Sequence, residues 1–335
     1  MNKKTFIIAE AGVNHNGDLK IAKLLIDEAK KANVDAVKFQ IFKPALMATK
    51  TAPKAAYQIS KVDTSVSQLE MLSSLALSYD NFKILKQYTE SSGLIFMCTA
   101  FDIESAEFLN TLDLRIFKIP SGEITNLPLL RKIASFNKEI ILSTGMSTLE
   151  EIKSAIEVIF NGGTQLDKIT VMHANTEYPT PFQDVNLLAM TMLGKTLKLP
   201  YGYSDHTPGI EVPIAAVALG ASCIEKHFTL DKNMQGPDHK ASINPDELCL
   251  MCSSIRNIEI ALGNSKKIVT QSELKNLTIA RKSIVAKKNI QKGDIFTDEN
   301  ICTKRPGSGI SPMLWDKVLG EKAVKDFLED EMISL

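Results

Sequence analysis

Eight short runs rich in β-branched and aromatic residues, each followed by a longer stretch with apolar residues at helical spacing, limit this chain to very few folds. The runs are "TFIIA" (5–9), "DAVKF" (35–39), "LIFMC" (94–98), "RIFKI" (115–119), "EIILS" (139–143), "KITVM" (168–172), "LPYGY" (199–203) and "SCIEK" (222–226). Between them lie amphipathic segments such as "LKIAKLLIDEAKKA" and "LEEIKSAIEVIF". Strict alternation of strand and helix calls for parallel strands covered by helices. Eight such units favour a closed (β/α)8 barrel over an open sheet.

The alternation stops near residue 264. Residues 265–280 read as a polar, helix-prone linker, and residues 281–335 as a small β-rich domain cut by Gly293-Asp294 and by the Pro306-Gly307-Ser308-Gly309 cluster. The predicted organisation is a barrel over residues 1–264, the linker, and a domain too small to be very stable by itself. The stretch from Lys43 to about Tyr79 is far longer than an ordinary strand-to-helix connection, a length typical of lids and binding loops.

Composition narrows the function classes. The 335 residues carry 39 Lys+Arg against 39 Asp+Glu, a balance unlike that of a nucleic-acid or anionic-membrane binder. Lys3 and Lys4 before "TFIIA" imitate a signal peptide until Glu10 breaks the apolar run, and no stretch approaches the ~20 apolar residues of a membrane span. A cytoplasmic protein is expected, with no nucleic-acid or membrane partner. Five scattered cysteines read as reduced thiols, and Cys249 and Cys252 as helix-packing residues without a second C-x-x-C to make a metal site.

In a (β/α)8 barrel the C-terminal strand ends build the active site. Here every run closes on hydrogen-bonding or ionisable residues: Glu10, then Lys38 and Gln40, Thr99, Lys118 and Ser121, Ser143, His173 and Tyr178, Ser204-Asp205-His206, and Lys226-His227. His206 and His227 end neighbouring strands, which lie ~4.8 Å apart, so both imidazoles can reach one cation while leaving room for water and substrate oxygens. The alternative is two satisfied histidines at the rim. His15 reads as a turn residue, and His239 is ambiguous. Lys38 and Lys118, ringed by Thr99, Ser121, Ser143 and Ser204, fit a small phosphorylated acid. Either lysine could instead pair with a carboxylate, and a desolvated barrel lysine could form a Schiff base.

The ordered motifs "IIAEAGVNHNGD", "VKFQ", "FKIPSGE", "ILSTGM", "EYPTPFQDVNL", "GYSDHT", "EKHFTLD", "GPDHKAS" and "KRPGSG" span the chain, which closely resembles the sialic acid synthase family of phosphoenolpyruvate-dependent nonulosonate synthases. The resemblance implies an antifreeze-like (SAF) domain at the C-terminus. It also implies a transferase that condenses phosphoenolpyruvate with an N-acylated mannose-type sugar and releases phosphate. Carried over by motif, His206 and His227 are the ligands of a divalent ion, Mn²⁺ before Mg²⁺ or Co²⁺. Lys38, Thr99, Lys118, Ser121, Ser143 and Ser204 hold phosphoenolpyruvate. Gln40, Tyr178 and Asp238 face the sugar, together with Arg305 from a small domain swapped between the subunits of a homodimer. Glu10 and Lys38 are the implied catalytic pair, with Glu10 moving protons. Thr176 stands where close neuraminate synthases commonly carry Asn, a departure that weakens the assignment of a phosphoenolpyruvate contact there.

"TAPKAAYQ", "SGEITNLPLL" and "NTEYPTPFQDVNL" resemble legionaminate synthases more than neuraminate ones. That implies 2,4-diacetamido-2,4,6-trideoxymannose as the sugar, ahead of N-acetylmannosamine or a pseudaminate precursor. Two readings compete with the family's. One is a metal-independent Schiff-base aldolase using Lys118 or Lys226; the other is a non-enzymatic carbohydrate- or ice-binding module.

Overall fold

The computed structural model describes residues 4–54 and 67–335. Residues 4–263 within it form one compact unit and residues 264–335 a second.

In the first unit β1 (Phe6–Gly12), β2 (Ala36–Ile41), β3 (Ile95–Ala100), β4 (Ile116–Ile119), β5 (Glu139–Ser143), β6 (Ile169–Ala174), β7 (Tyr201–Asp205) and β8 (Cys223–His227) pair in chain order. Every pairing is parallel, and β8 closes onto β1 with Glu10 opposite His227. The closed (β/α)8 barrel is the fold the alternation predicts.

Side chains along a strand alternate between faces, and here both faces are covered. Outward residues such as Ile7, Val37, Phe39 and Phe96 join the large core beneath the helices. Inward residues Ile8, Ala36, Met97, Ile116, Ile141, Met172 and Cys223 make a separate apolar cluster that plugs the barrel. Two positions further along the inward face the chemistry changes abruptly. Glu10, Lys38, Thr99, Lys118, Ser143, Ser204 and Glu225 follow, all buried. One more step of two brings in Gln40 and His227.

The covering helices are α1 (Leu19–Lys31), α4 (Tyr79–Ser91), α5 (Ile103–Thr111), α6 (Leu127–Ser135), α7 (Leu149–Asn161), α8 (Leu187–Leu197), α9 (Glu211–Ala218) and α10 (Pro245–Ala261). Their starts are written locally: Thr148 and Asn244 form capping boxes with Glu151 and Glu247 at the heads of α7 and α10. Cys252 is buried on α10 and Cys249 half-buried, as packing residues are. The long connection after β2 contains α2 (Pro44–Met47) and α3 (Gln68–Leu75); the "TAPKAAYQ" run falls partly outside the described residues.

The second unit holds α11 (Gln271–Ala280), an antiparallel pair of β9 (Ser283–Ala286) with β10 (Ile301–Lys304), and α12 (Trp315–Val318). Its core is small, gathered around Ile284, Ile290, Phe296, Ile301, Val318 and Phe327. Helix α11 is tied into it, because Thr278 O accepts from Gly307 N at 2.7 Å and Ala280 O accepts from Arg305 Nε at 3.1 Å.

Candidate active site

A cavity of about 360 Å³ opens at the C-terminal end of the barrel. Glu10, Lys38, Gln40, Thr99, Lys118, Ser121, Ser143, Tyr178, Ser204, His206, His227 and Asp238 all line it, whereas His173, Asp205 and Lys226, also read from the strand ends, do not. Arg305 belongs to the second unit.

The floor is an ionic cluster. Lys118 Nζ donates to Glu225 Oε1 at 3.0 Å, and Ser204 Oγ donates to the same oxygen at 2.9 Å. Lys38 Nζ lies 2.6 Å from Glu10 Oε2, off the direction of a good hydrogen bond, and 3.7 Å from Glu225 Oε2. It donates to Thr99 Oγ1 at 3.0 Å, and Gln40 Nε2 donates to Glu10 Oε1 at 2.9 Å. Burial sets the two carboxylates apart. For Glu10, desolvation outweighs the attraction of Lys38 and, with the charge of Glu225 added, raises the pKa. For Glu225, desolvation also pushes upward, but Lys118, Lys38 and the Ser204 hydrogen bond overcome it and hold the carboxylate ionised. Desolvation lowers Lys118 despite Glu225, whereas Lys38, between two carboxylates, is raised in spite of its burial.

Several polar atoms here lack partners. Ser143 Oγ and Glu225 Oε2 are buried without a hydrogen bond. Such groups are costly unless something arrives to satisfy them. Close by, the loops after β4, β5 and β6 meet: Gly145 N donates to Ser121 Oγ at 2.9 Å. A Cβ at Gly145 would stand 2.7 Å from Thr176 Cγ2, so only glycine allows this approach. Thr176 lines the cavity beside it.

At the rim, the rings of His206 and His227 lie 5.3 Å apart between centroids. His206 Nδ1 sits 2.6 Å from Asn175 O, an acceptor that fixes the proton on Nδ1. That leaves Nε2 to accept from Tyr178 OH at 2.8 Å. Burial lowers His206 to about 4 and, helped by His206 and Lys38, takes His227 well below its ordinary value, so both imidazoles are neutral. His227 Nδ1 is buried without a hydrogen bond, 4.0 Å from Asp238 Oδ2. Burial, reinforced by the charge of Glu10, pushes Asp238 up to about 7. Two neutral imidazoles, one with an orphaned nitrogen, fit a divalent ion that takes its other ligands from water or substrate. Among the described residues no three His, Cys, Asp or Glu form a ready-made cage.

Other candidates resolve as structural. His15 Nδ1 accepts from Gly17 N at 3.0 Å within its turn. His173 bonds Val185 O, and His239 lies between Thr229 Oγ1 and Asn16 Oδ1. The expectation that Lys226 faces the mouth is corrected. Cys223, Glu225 and His227 point inward, so Lys226 points outward, where it pairs with Asp205 and donates to Thr207 O at 2.5 Å with no exposed surface. A Schiff base on Lys226 is thereby excluded. Glu225, which takes its inward place, was not singled out in the strand-end reading.

The fold and mouth define a barrel whose cavity carries two buried lysines beneath two neutral imidazoles. The NeuB family matches residues 25–267, and the SAF domain matches residues 281–335. The chain belongs to the NeuB family, the sialic acid synthases. It is 54% identical over 331 residues to an N,N'-diacetyllegionaminic acid synthase of Campylobacter jejuni, covering 99% of each chain. It is 44% identical over 319 residues to the enzyme of that name in Legionella pneumophila, covering 95% of this chain and 90% of that one. The solved structure of an N-acetylneuraminic acid (sialic acid) synthetase from Leptospira borgpetersenii, in complex with citrate, matches at 33% identity and a TM-score of 0.73, over 82% of this chain and 90% of that one. Synthases of this family condense phosphoenolpyruvate with an acylated sugar to a nonulosonic acid and are generally dependent on a divalent metal ion. Among the described residues no helix is long and apolar enough to cross a membrane.

Proposed function

We propose that this enzyme joins phosphoenolpyruvate to 2,4-diacetamido-2,4,6-trideoxymannose, giving a legionaminate-type nine-carbon acid and phosphate. The observation that carries the chemistry is the stacking, in one well, of a lysine floor beneath a pair of neutral imidazoles; near full-length similarity to two synthases of that name supports the sugar.

In this reading Lys38 and Lys118 neutralise the donor's charge, and Thr99, Ser121, Ser143 and Ser204 orient it. Ser143, with no partner of its own, is the ready donor. His206 and His227 would hold the ion, Mn²⁺ first, which supplies Lewis acidity toward the sugar carbonyl. Gln40, Tyr178 and Asp238 face the sugar. Carbon 3 of phosphoenolpyruvate bonds to the aldehyde carbon, water adds at carbon 2, and the C–O bond to phosphate breaks. Glu10, whose pKa burial raises, gives its proton to the new alkoxide and regains one from the attacking water.

Lys118, desolvated in the same well, keeps the Schiff-base alternative specific: borohydride trapping together with turnover in chelator would establish it. We also propose a cytoplasmic homodimer in which residues 281–335, joined by residues 265–280, bring Arg305 to the partner's sugar. Full activity as a monomer after truncation near residue 275 would refute that arrangement.

The deciding assay is phosphate release with each sugar in turn. Release should require both substrates and be fastest with the trideoxy sugar, ahead of N-acetylmannosamine and the altrose-type pseudaminate precursor. Release without any sugar dependence would overturn the reading.

A further inference from the structure

The loops at the mouth are not alike. Those after β4 to β8 bring chiefly polar groups to the cavity, including Ser121, Tyr178, His206 and Asp238. Those after β1 to β3 bring Val13, Met47, Met71, Leu72, Leu75 and Phe101. These six belong to a hydrophobic cluster of their own, distinct from the cores inside and outside the barrel, in which Val13, Leu72 and Leu75 are buried with Phe42 and the two methionines and Phe101 pack against them.

This wall is built in advance of any ligand. Pro44 opens α2, and a capping box fixes the start of α3, with Ser67 Oγ accepting from Glu70 N at 3.2 Å and Glu70 Oε2 accepting from Ser67 N at 2.8 Å. The wall also faces across a cavity whose other surfaces are chiefly hydrogen-bonding, interrupted by Pro120, Met146 and Pro237. An apolar wall in a polar well discriminates by what it cannot satisfy: a hydroxyl pressed against it loses water and gains no partner, while a methyl loses nothing.

We propose that the wall made by α2, α3, Val13 and Phe101 is the specificity surface for the far end of the sugar, taking the carbon-6 methyl and the carbon-4 acetamido methyl and rejecting hydroxyls there. This rests on the condensation proposed above and adds the element that selects the sugar. Met71 and Met47 are the half-buried members whose side chains can be changed without emptying the cluster.

The test replaces Met71 and Met47 with glutamine, nearly isosteric but polar, and measures kcat/KM for the trideoxy sugar and for N-acetylmannosamine, with KM for phosphoenolpyruvate and the melting temperature alongside. The double variant should lose roughly ten- to a hundredfold in kcat/KM for the trideoxy sugar, the range expected for lost methyl contacts. Its preference between the sugars should narrow by a similar factor, with KM for phosphoenolpyruvate unchanged. Met71→Leu should keep the preference. Turnover of the trideoxy sugar by the unaltered enzyme, with an unmoved preference in the folded variant, overturns the wall alone. No turnover of either sugar, or an unaltered enzyme that prefers N-acetylmannosamine, overturns the sugar assignment and the wall with it.

Discussion

Strand β8 carries two buried ion pairs one residue apart, and they do opposite things. On its outer face Lys226 is paired with Asp205 and bonded to Thr207 O, with no surface left to meet a ligand. On its inner face Glu225 holds Lys118 and stands near Lys38, yet Oε2 lacks a hydrogen bond and the cluster borders a cavity. A saturated buried pair fixes structure: it locks the ends of β7 and β8 immediately before His206 and beside His227. An unsaturated one next to a cavity stores binding capacity, because an incoming anion can take over donors that the carboxylates now occupy.

That contrast can be broken by substitution. The largest effect is expected for Glu10→Gln on the inner side: a loss of about 10²–10⁴-fold in kcat, the usual range for general acid–base groups, with both substrates still bound and melting little changed. Unaltered turnover in a phosphate-release assay would take Glu10 out of the proton transfers and leave it a charge partner for Lys38.

On the outer side, Lys226→Met strands Asp205 as a buried charge and should cost about 3–5 kcal/mol of stability, read as a fall in denaturant midpoint. Phosphoenolpyruvate affinity per folded molecule should stay close to that of the unaltered chain. An unaffected midpoint with weakened donor binding would invert the assignment of the two pairs. The smallest effect is expected for Ser143→Ala, which removes one hydrogen bond to a charged ligand, worth about 1.5–3 kcal/mol. KM for phosphoenolpyruvate should rise at least tenfold while KM for the sugar holds; equal rises in both would place Ser143 outside the donor site.

Much of the barrel was legible because alternation of strand and helix is a long-range pattern that local accidents do not erase. Polar strand ends marked the mouth for the same reason. Parity was harder. The run "SCIEK" ends on Lys226, and nothing in its composition says whether Lys226 or Glu225 turns inward; a one-residue choice moves every side chain to the other face. The inward set becomes readable only when Ile8, Met97, Ile141 and Cys223 are aligned as one apolar layer. The length of the connection over residues 43–79 marked a binding loop, but the packing of its α2 and α3 into a wall was illegible for another reason. Leu72 and Leu75 have the spacing of any core-facing helix, and their approach to Val13 and Phe101 depends on where a long connection folds back.

The apolar plug beneath the lysines has a consequence for traffic. A shaft closed at its base has one doorway, and whatever lodges against Lys38 and Lys118 must come in before anything seated higher, at Gln40 or His227, blocks the way. Under the proposed donor site, loading from below upward, and unloading in reverse, follows from the two-residue step that turns the lining from methyls to charges.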